Sequence, residues 1–109
     1  MHLYNAEGNA VFTITDGITL DASSSDGNEV KIRRRQNSGT FAVNVGDINV
    51  LKSGNVYLGS MGGGEYLTSL SLNGDVNLTN GSKLNIYTNS FSIAENSIIT
   101  LDNSTLNFA

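Results

Sequence analysis

The chain lacks cysteine, proline and tryptophan, and it has a single histidine, His2. Without cysteine there are no disulfides and no thiolate chemistry, and cysteine usage gives no information on the redox compartment. Without proline, every residue keeps a backbone N–H that can pair in a strand ladder. A Ser-His-Asp arrangement or a histidine metal site would depend on His2, which we expect to lie in a disordered N-terminal segment, so neither is expected.

Charged residues are also scarce. They make up 15% of the chain, and ten acidic against six basic residues give a net charge of −4. Such a chain lacks the basic face that neutralises nucleic-acid phosphates or draws a protein to an anionic membrane. No apolar run reaches about 18 residues, and the first residues do not form a signal-peptide pattern. We therefore expect neither a nucleic-acid nor a membrane partner.

Asn, Ser, Thr and Gly together make up more than a third of the chain. They separate short runs of alternating apolar and polar residues, such as Phe12–Ile14, Gly46–Val50 and Ile99–Leu101. An apolar spacing of two is typical of strands, and the helical i, i+3, i+4 stripe never persists. The sequence therefore predicts an all-β chain that forms one domain over 1–109.

The strand signals recur at short intervals. In the second half they are centred about seven residues apart, which is too short for comfortable antiparallel hairpins and fits a coiled β architecture. Gly46–Val50 and Gly74–Leu78 are near copies 28 residues apart, which we interpret as about four such rungs. Strands are expected over 10–15, over 17–21 after a turn at Asp16-Gly17, over 29–35 and 40–45, and around Leu70, Val76, Asn85, Phe91, Ile99 and Leu106.

Glycines reduce the side chains available for packing in the middle of the chain. They include Gly54, Gly59 and the run Gly62–Gly64. A triple glycine marks a bend or a place where another backbone comes very close. We therefore expect a single structural module with a weak internal break near 62–64.

Four segments of the first half share a recurrent pattern, and they are Gly17–Ser25, Val30–Ile32, Ser38–Phe41 and Gly46–Val50. In these segments the chain resembles tail-fibre and other virion structural proteins of marine and T4-like bacteriophages. The resemblance covers about residues 15 to 50 well and about 70 to 108 loosely. It implies intertwined homotrimers, in which each chain supplies one face and apolar residues point to a shared threefold axis.

The predicted fold is thus an all-β, short-strand β-helix or β-prism, built as an intertwined homotrimer. A single-chain β-solenoid and a small β-sandwich are the alternatives. The residues expected in the shared core are Ile14, Ile18, Leu20, Ile32, Val43, Ile48, Val50, Val76, Leu78, Ile86, Ile93 and Leu101.

The predicted function is that of a non-enzymatic bacteriophage virion structural protein. It would be a fibre, spike or capsid-decoration module on the particle surface, acting in assembly, stabilisation or display. The partners would be copies of itself, other virion proteins and a host surface glycan. The resemblance implies no catalytic residues, and we expect no cofactor and no metal. An adhesin-like or autotransporter-like solenoid that binds a ligand is the second hypothesis, and a glycan-depolymerase tailspike fragment is the third.

The triplet Arg33, Arg34 and Arg35 is the one concentrated charge feature. On a strand, Arg33 and Arg35 share a face with Lys31, whereas Arg34 continues the opposite, apolar side. The triplet would dock an acidic neighbour or an anionic glycan, or it would pair with carboxylates of other chains within the trimer. The residues predicted at an interface between chains are Arg33, Arg34, Arg35, Ile48, Val50, Val76 and Leu78.

The carboxylates give no clear catalytic or metal-binding pattern. Nearly all ten adjoin Gly, Asn or Ser, as carboxylates in turns do, which weakens a glycosidase pair. The segment Asp21–Glu29 is rich in oxygen ligands, but its spacing matches neither an EF-hand loop nor a calcium-binding β-roll repeat.

Overall fold

The computed structural model describes residues 2–5, 8–21, 29–34, 39–61 and 65–108, and within these ranges it contains strands and turns but no helix. The all-β prediction is confirmed. The strands are β1 (His2–Asn5), β2 (Ala10–Ile14), β3 (Ile18–Leu20), β4 (Glu29–Arg34), β5 (Phe41–Val45), β6 (Ile48–Val50), β7 (Asn55–Leu58), β8 (Ser69–Leu72), β9 (Val76–Thr79), β10 (Lys83–Ile86), β11 (Phe91–Ile93), β12 (Ile99–Asp102) and β13 (Thr105–Phe108).

Each strand pairs in parallel with the strand three places away in the chain. Three sheets result, with the strand orders β1-β4-β7-β10-β13 (sheet A), β2-β5-β8-β11 (sheet B) and β3-β6-β9-β12 (sheet C). The backbone therefore winds from sheet A to B to C and back to A, and we call each such circuit a coil. The fold is a parallel β-solenoid.

The alternation of apolar and polar residues sets the inner and outer faces. Along β4, Val30 and Ile32 are buried, whereas their neighbours Glu29, Lys31 and Arg33 are only partly so. Parallel sheets that are covered on both faces have strands that are apolar at nearly every position. Here the outer face of each sheet meets water, so apolar residues occupy only every second position of a strand. The inner faces of the three sheets thus form one apolar core along the axis.

One chain supplies all three sheets, so its apolar side chains face its own interior and not an axis shared between chains. Of the twelve residues expected in a shared core, eight lie in this interior, while Ile14 and Leu20 pack against it half-buried. The last two, Ile93 and Leu101, are exposed at the C-terminal end. The β-helix is confirmed, and association between chains stays a prediction.

The spacing of the two near-identical segments has a simple structural basis. Ile48 lies beside Val76 and Val50 beside Leu78, so the copies stack directly on each other in sheet C. Their separation of 28 residues is therefore one complete coil of three strands, and our interpretation as four rungs is wrong. The reason is that corners take up much of each coil: the sequence separation across adjacent coils is 31 between Thr13 and Asn44 but only 21 between Ser71 and Ser92.

Two strands were missed by the sequence analysis. One is β1, where His2 pairs with Lys31 and places its Nε2 3.5 Å from Glu29 Oε1, so the expectation of a disordered start is wrong for His2. The other is β7, which lies in the middle of sheet A with Val56 and Leu58 fully buried.

The glycines that flank β7 permit close packing between coils. A Cβ on Gly54 would lie 2.7 Å from Leu20 Cδ2, and one on Gly59, whose φ is 91°, would lie 2.0 Å from the carbonyl oxygen of Tyr87. Gly17 likewise has a φ of 86°, as expected for the Asp16-Gly17 turn, which forms a corner between sheets B and C. The run Gly62–Gly64, expected as a weak break, lies outside the described residues.

Candidate assembly surfaces

The outer face of sheet B carries small uncharged residues. Its four strands contain no charged residue at all. Along one row, Asn44 Nδ2 donates to Thr13 Oγ1 at 3.2 Å, and Ser92 Oγ donates to Ser71 Oγ at 3.1 Å. The four side chains of this row therefore form two hydrogen-bonded pairs, each of which joins adjacent coils, and the strands of this face carry no charge.

Sheet A differs in charge. Lys31 Nζ lies 3.6 Å from Glu29 Oε1 and 4.9 Å from the ring centre of Tyr57, and Arg33 Nη1 donates to Glu65 Oε1 at 3.0 Å. These contacts lie within one chain, so Arg33 has an intrachain partner that the sequence analysis did not name. Most of the basic residues in the described chain lie on this sheet.

Arg34 occupies the inner side of β4, as the alternation predicts, and only 9% of it is exposed. Its Nη1 donates to the carbonyl oxygen of Gly39 at 2.8 Å and to Thr68 Oγ1 at 3.5 Å, which lie at the corners between sheets A and B. A buried guanidinium needs such acceptors, and here they come from the chain itself. Arg34 is therefore not part of an exposed basic patch, and Arg35 lies outside the described residues.

The apolar residues predicted at an interface lie in sheet C and face inward. Ile48, Val50, Val76 and Leu78 are all 2% exposed or less. In this structure their contacts are with the core of their own chain. Their role between chains stays a prediction, and a surface contact in this conformation would have to use other residues.

Carboxylates at the corner between sheets B and C brace the backbone of the next coil. Asp47 Oδ1 accepts a hydrogen bond from the Asp75 N–H at 2.8 Å, and Asp75 Oδ1 accepts one from the Ile98 N–H at 2.9 Å. This agrees with the interpretation of these residues as turn carboxylates. Within the described ranges, no group of three or more His, Cys, Asp or Glu residues converges on a common point. Most of Asp21–Glu29 lies outside those ranges.

The C-terminal end of the stack exposes residues that belong to the core by register. We call Phe91, Ile93, Ile99, Leu101 and Phe108 the end row, and each is 36 to 54% exposed. Their partners one coil earlier are 2% exposed or less, and they are Leu70, Leu72, Val76, Leu78 and Ile86. Phe91 and Phe108 make an edge-to-face contact at 4.7 Å between ring centres. Both pair with residues of the buried rows, and nothing in the local sequence pattern distinguishes the end row from a buried one.

The N-terminal end also exposes part of its core. Leu3, Phe12, Ile14 and Leu20 on β1, β2 and β3 are half-buried. An apolar depression of about 200 Å³ opens between β1 and β2 and is lined by Leu3, Asn5, Ala10, Val11, Phe12 and Phe41.

The comparisons with known proteins do not assign the chain to a family. No family model matches it, and neither does a curated protein or a solved structure. The class of this protein is thus defined by its structure alone, which is a single-chain parallel β-solenoid. The part of the chain that the structure describes holds no helix long and apolar enough to span a membrane.

Proposed function

We propose that this protein is a non-enzymatic structural module of a bacteriophage virion. It forms part of a fibre, a spike or a capsid decoration on the particle surface, where it acts in assembly, stabilisation or display. Copies associate side by side as a homotrimer through the outer face of sheet B. The observation that carries the proposal is the uncharged, internally hydrogen-bonded row on that face. The resemblance of Gly17–Ser25 and Gly46–Val50 to virion proteins supports the biological setting.

Sheet B is the face best suited to contact between copies. The centres of protein interfaces are depleted of charge, because removing charged groups from water costs free energy that pairing does not always recover. Thr13, Asn44, Ser71 and Ser92 already have partners along the row, and Val11, 72% exposed, adds apolar surface. Packing on sheet A would instead dehydrate Lys31 and Arg33.

The test is the mass of the protein in solution, measured by light scattering and native mass spectrometry. We expect a trimer for the wild type and a monomer for Ser71→Arg, which puts a charge in the middle of the row. The matched control is Asn77→Arg, at the equivalent outer position of sheet C in the same coil, and it should remain a trimer. A wild type that is monomeric at all concentrations, or a Ser71→Arg variant that remains trimeric, would contradict the side-by-side association.

A second function is favoured by one observation, namely that a single chain completes its own core. Because Ile48 and Leu78 are fully buried without any partner chain, a monomeric solenoid that binds a ligand, as an adhesin or autotransporter passenger does, is physically self-sufficient. The same mass measurement separates the two, since this function predicts a stable monomer. Its ligand would be an anionic surface glycan bound at Lys31, Tyr57 and Arg33, and Arg33→Ala should then weaken glycan retention.

A further inference from the structure

Asparagine followed by glycine is a reactive pair, because glycine has no Cβ to shield its backbone nitrogen. The nitrogen attacks the side-chain amide of the asparagine, a succinimide ring closes, and ammonia is released. The chain contains two such pairs, Asn73-Gly74 and Asn80-Gly81. Both lie at corners of the solenoid, and their hydrogen bonds determine which of them is free to react.

At Asn80-Gly81 both reacting groups are held by neighbouring coils. Asn80 Nδ2 donates to the carbonyl oxygen of Leu51 at 3.0 Å, and the Gly81 N–H donates to the carbonyl oxygen of Asn103 at 2.8 Å. The side chain reaches the backbone nitrogen only after both bonds break. This pair is therefore protected in the folded protein.

At Asn73-Gly74 the corresponding groups are not held. The Asn73 N–H donates to the carbonyl oxygen of Val45 at 2.7 Å, which fixes the residue at the corner between sheets B and C. Its side chain is exposed, and neither that side chain nor the Gly74 N–H has a hydrogen-bond partner among the residues that the structure describes. Nothing in this part of the chain opposes the attack of the nitrogen on the amide.

An aspartate followed by glycine forms the same ring, and one such pair lies at the same corner two coils earlier. There the Gly17 N–H donates to the carbonyl oxygen of Ile14 at 3.1 Å. Of the three Asn-Gly and Asp-Gly pairs within the described ranges, only Asn73-Gly74 thus has an unbonded glycine N–H.

We propose that Asn73 is a site of spontaneous deamidation in the folded protein. The Gly74 nitrogen bonds to Asn73 Cγ, the bond from Cγ to Nδ2 breaks, and the proton of the Gly74 N–H leaves with the amide group as ammonia. Water then opens the ring by adding a hydroxyl group to one carbonyl carbon and a proton to the nitrogen. Opening at Cγ gives aspartate, and opening at the backbone carbonyl carbon gives isoaspartate, in which the main chain runs through Cγ.

Either product adds a carboxylate to a corner that is already acidic. Asn73 lines a shallow depression together with Asp75 and Glu95, and the described segments of this corner contain no Lys, Arg or His. The net charge of the chain becomes one unit more negative than −4. Repulsion among these carboxylates lowers the stability of the corner, and salt screens it.

Isoaspartate also lengthens the main chain by one methylene group directly before Gly74. Gly74 packs so closely that a Cβ on it would overlap Asp47 Oδ1, and the same oxygen accepts the hydrogen bond from the Asp75 N–H at 2.8 Å. A longer corner displaces Gly74 from Asp47 and weakens this bond between coils. The reaction is therefore a slow, one-way change that loosens the corner between sheets B and C.

The first experiment follows the reaction in the folded chain. The 109-residue protein is incubated in mildly alkaline buffer below its unfolding transition. Ammonia release is measured, and peptide mapping with electron-transfer fragmentation locates aspartate and isoaspartate. We expect modification at Asn73 to be at least about 10-fold faster than at Asn80, where two hydrogen bonds must break first. In urea the two sites should react at similar rates, because the contacts between coils are lost.

Equal rates at the two sites in the folded protein would overturn the proposal, and so would reaction of Asn73 in urea only. The reaction takes place within one chain and needs no second copy. Failure of the proposed trimer therefore leaves this result unchanged, and the two proposals are tested separately.

A pair of variants assigns the released ammonia to its source. Asn73→Gln should lose most of the fast release, because the longer side chain closes its ring much more slowly. The matched control is Asn96→Gln, an exposed asparagine at the same corner one coil later that is followed by serine, and it should behave as the wild type does. Circular dichroism checks that both are folded. Fast release that persists in Asn73→Gln would contradict the assignment.

Thermal unfolding tests the effect on the corner. The isoaspartate form, separated by ion exchange after incubation, should unfold at a lower temperature than the unmodified protein. Asn73→Asp adds the charge without lengthening the main chain, so it should show a smaller decrease, which about 1 M salt removes. An isoaspartate form as stable as the unmodified protein would show that the contact of Gly74 with Asp47 does not constrain the corner, and would overturn the loosening.

Discussion

The middle and the last coil of the solenoid have the same sequence pattern but opposite environments. In the middle coil the inward residues Leu70, Leu72, Val76 and Leu78 are almost fully buried. In the last coil the residues in the same rows are 36 to 47% exposed, although the alternation of apolar and polar residues and the strand register are preserved. An inward residue in this fold is almost fully buried where a coil lies on each side of it, and its own strand only determines the direction in which it points.

A second contrast lies within a single strand. Arg33 and Arg34 are adjacent on β4, yet Arg33 points outward to Glu65 while Arg34 points inward to the corner carbonyl of Gly39. The identity of the side chain therefore says little about its energetic role here. The parity of its position in the strand, together with the coil in which it lies, determines that role.

The largest expected effect is a difference in stability between matched substitutions in the middle and the last coil. Leu78→Ala should lower the free energy of unfolding by about 2–5 kcal/mol, because it leaves a cavity in the core. Leu101→Ala, at the same position one coil later, should lower it by less than about 1 kcal/mol, because its side chain is half in water already. Urea unfolding at low protein concentration measures both. Equal losses would show that the C-terminal coil is covered in solution.

The glycine corners provide a second matched pair. Gly59→Ala places a methyl group against the carbonyl of Tyr87 in the next coil at a φ of 91°, so we expect a loss of about 2–4 kcal/mol. Gly81 has a similar φ of 78°, but a Cβ there would meet only Ser53 Oγ, at 3.4 Å. Gly81→Ala should therefore cost about 1–2 kcal/mol. Thermal unfolding compares the two, and a larger loss for Gly81→Ala would contradict the close approach between coils at Gly59.

The adjacent arginines provide the smallest and most selective test. Arg34→Met removes buried hydrogen bonds to Gly39 and Thr68 and should cost about 1–3 kcal/mol, with little dependence on salt. Arg33→Met removes a partly exposed ion pair with Glu65 and should cost about 0.5–1 kcal/mol, a loss that 1 M salt reduces. The measurement is urea unfolding at about 0.1 and 1 M sodium chloride. A salt-sensitive loss at Arg34 would place its guanidinium in solvent.

Much of the strand pattern could be predicted because it is local. The expected strands around Val76, Asn85 and Ile99 are β9, β10 and β12, and the inward direction of Arg34 follows from alternation alone. The number of sheets could not be derived in this way. Alternation defines which residues share a face, but the pairing partner of a strand depends on how many residues the intervening corners consume.

The missed features depend on contacts between coils. β7 was missed because Gly54 and Gly59 flank it, and glycine usually weakens a strand signal. Both glycines lie where another coil approaches, Gly54 at Leu20 and Gly59 at Tyr87. The residues that leave no room for a side chain at these two positions are therefore about one coil away in the sequence. The exposure of Ile93 and Leu101 was missed for a related reason, since no local signal distinguishes the outer coil of a stack from an inner one.

Corner length varies while the register of the strands does not. Ten residues connect Leu58 to Ser69 between sheets A and B, but only four connect Ile86 to Phe91 at the same corner one coil later. Both connections deliver the chain to the same row of sheet B, where Leu70 and Phe91 lie side by side. The strands thus keep a fixed register, whereas the length of the corners between them can vary. Peptides of different length and chemistry can be grafted at this corner in successive coils, which would present them at the strand spacing of about 4.8 Å along one edge.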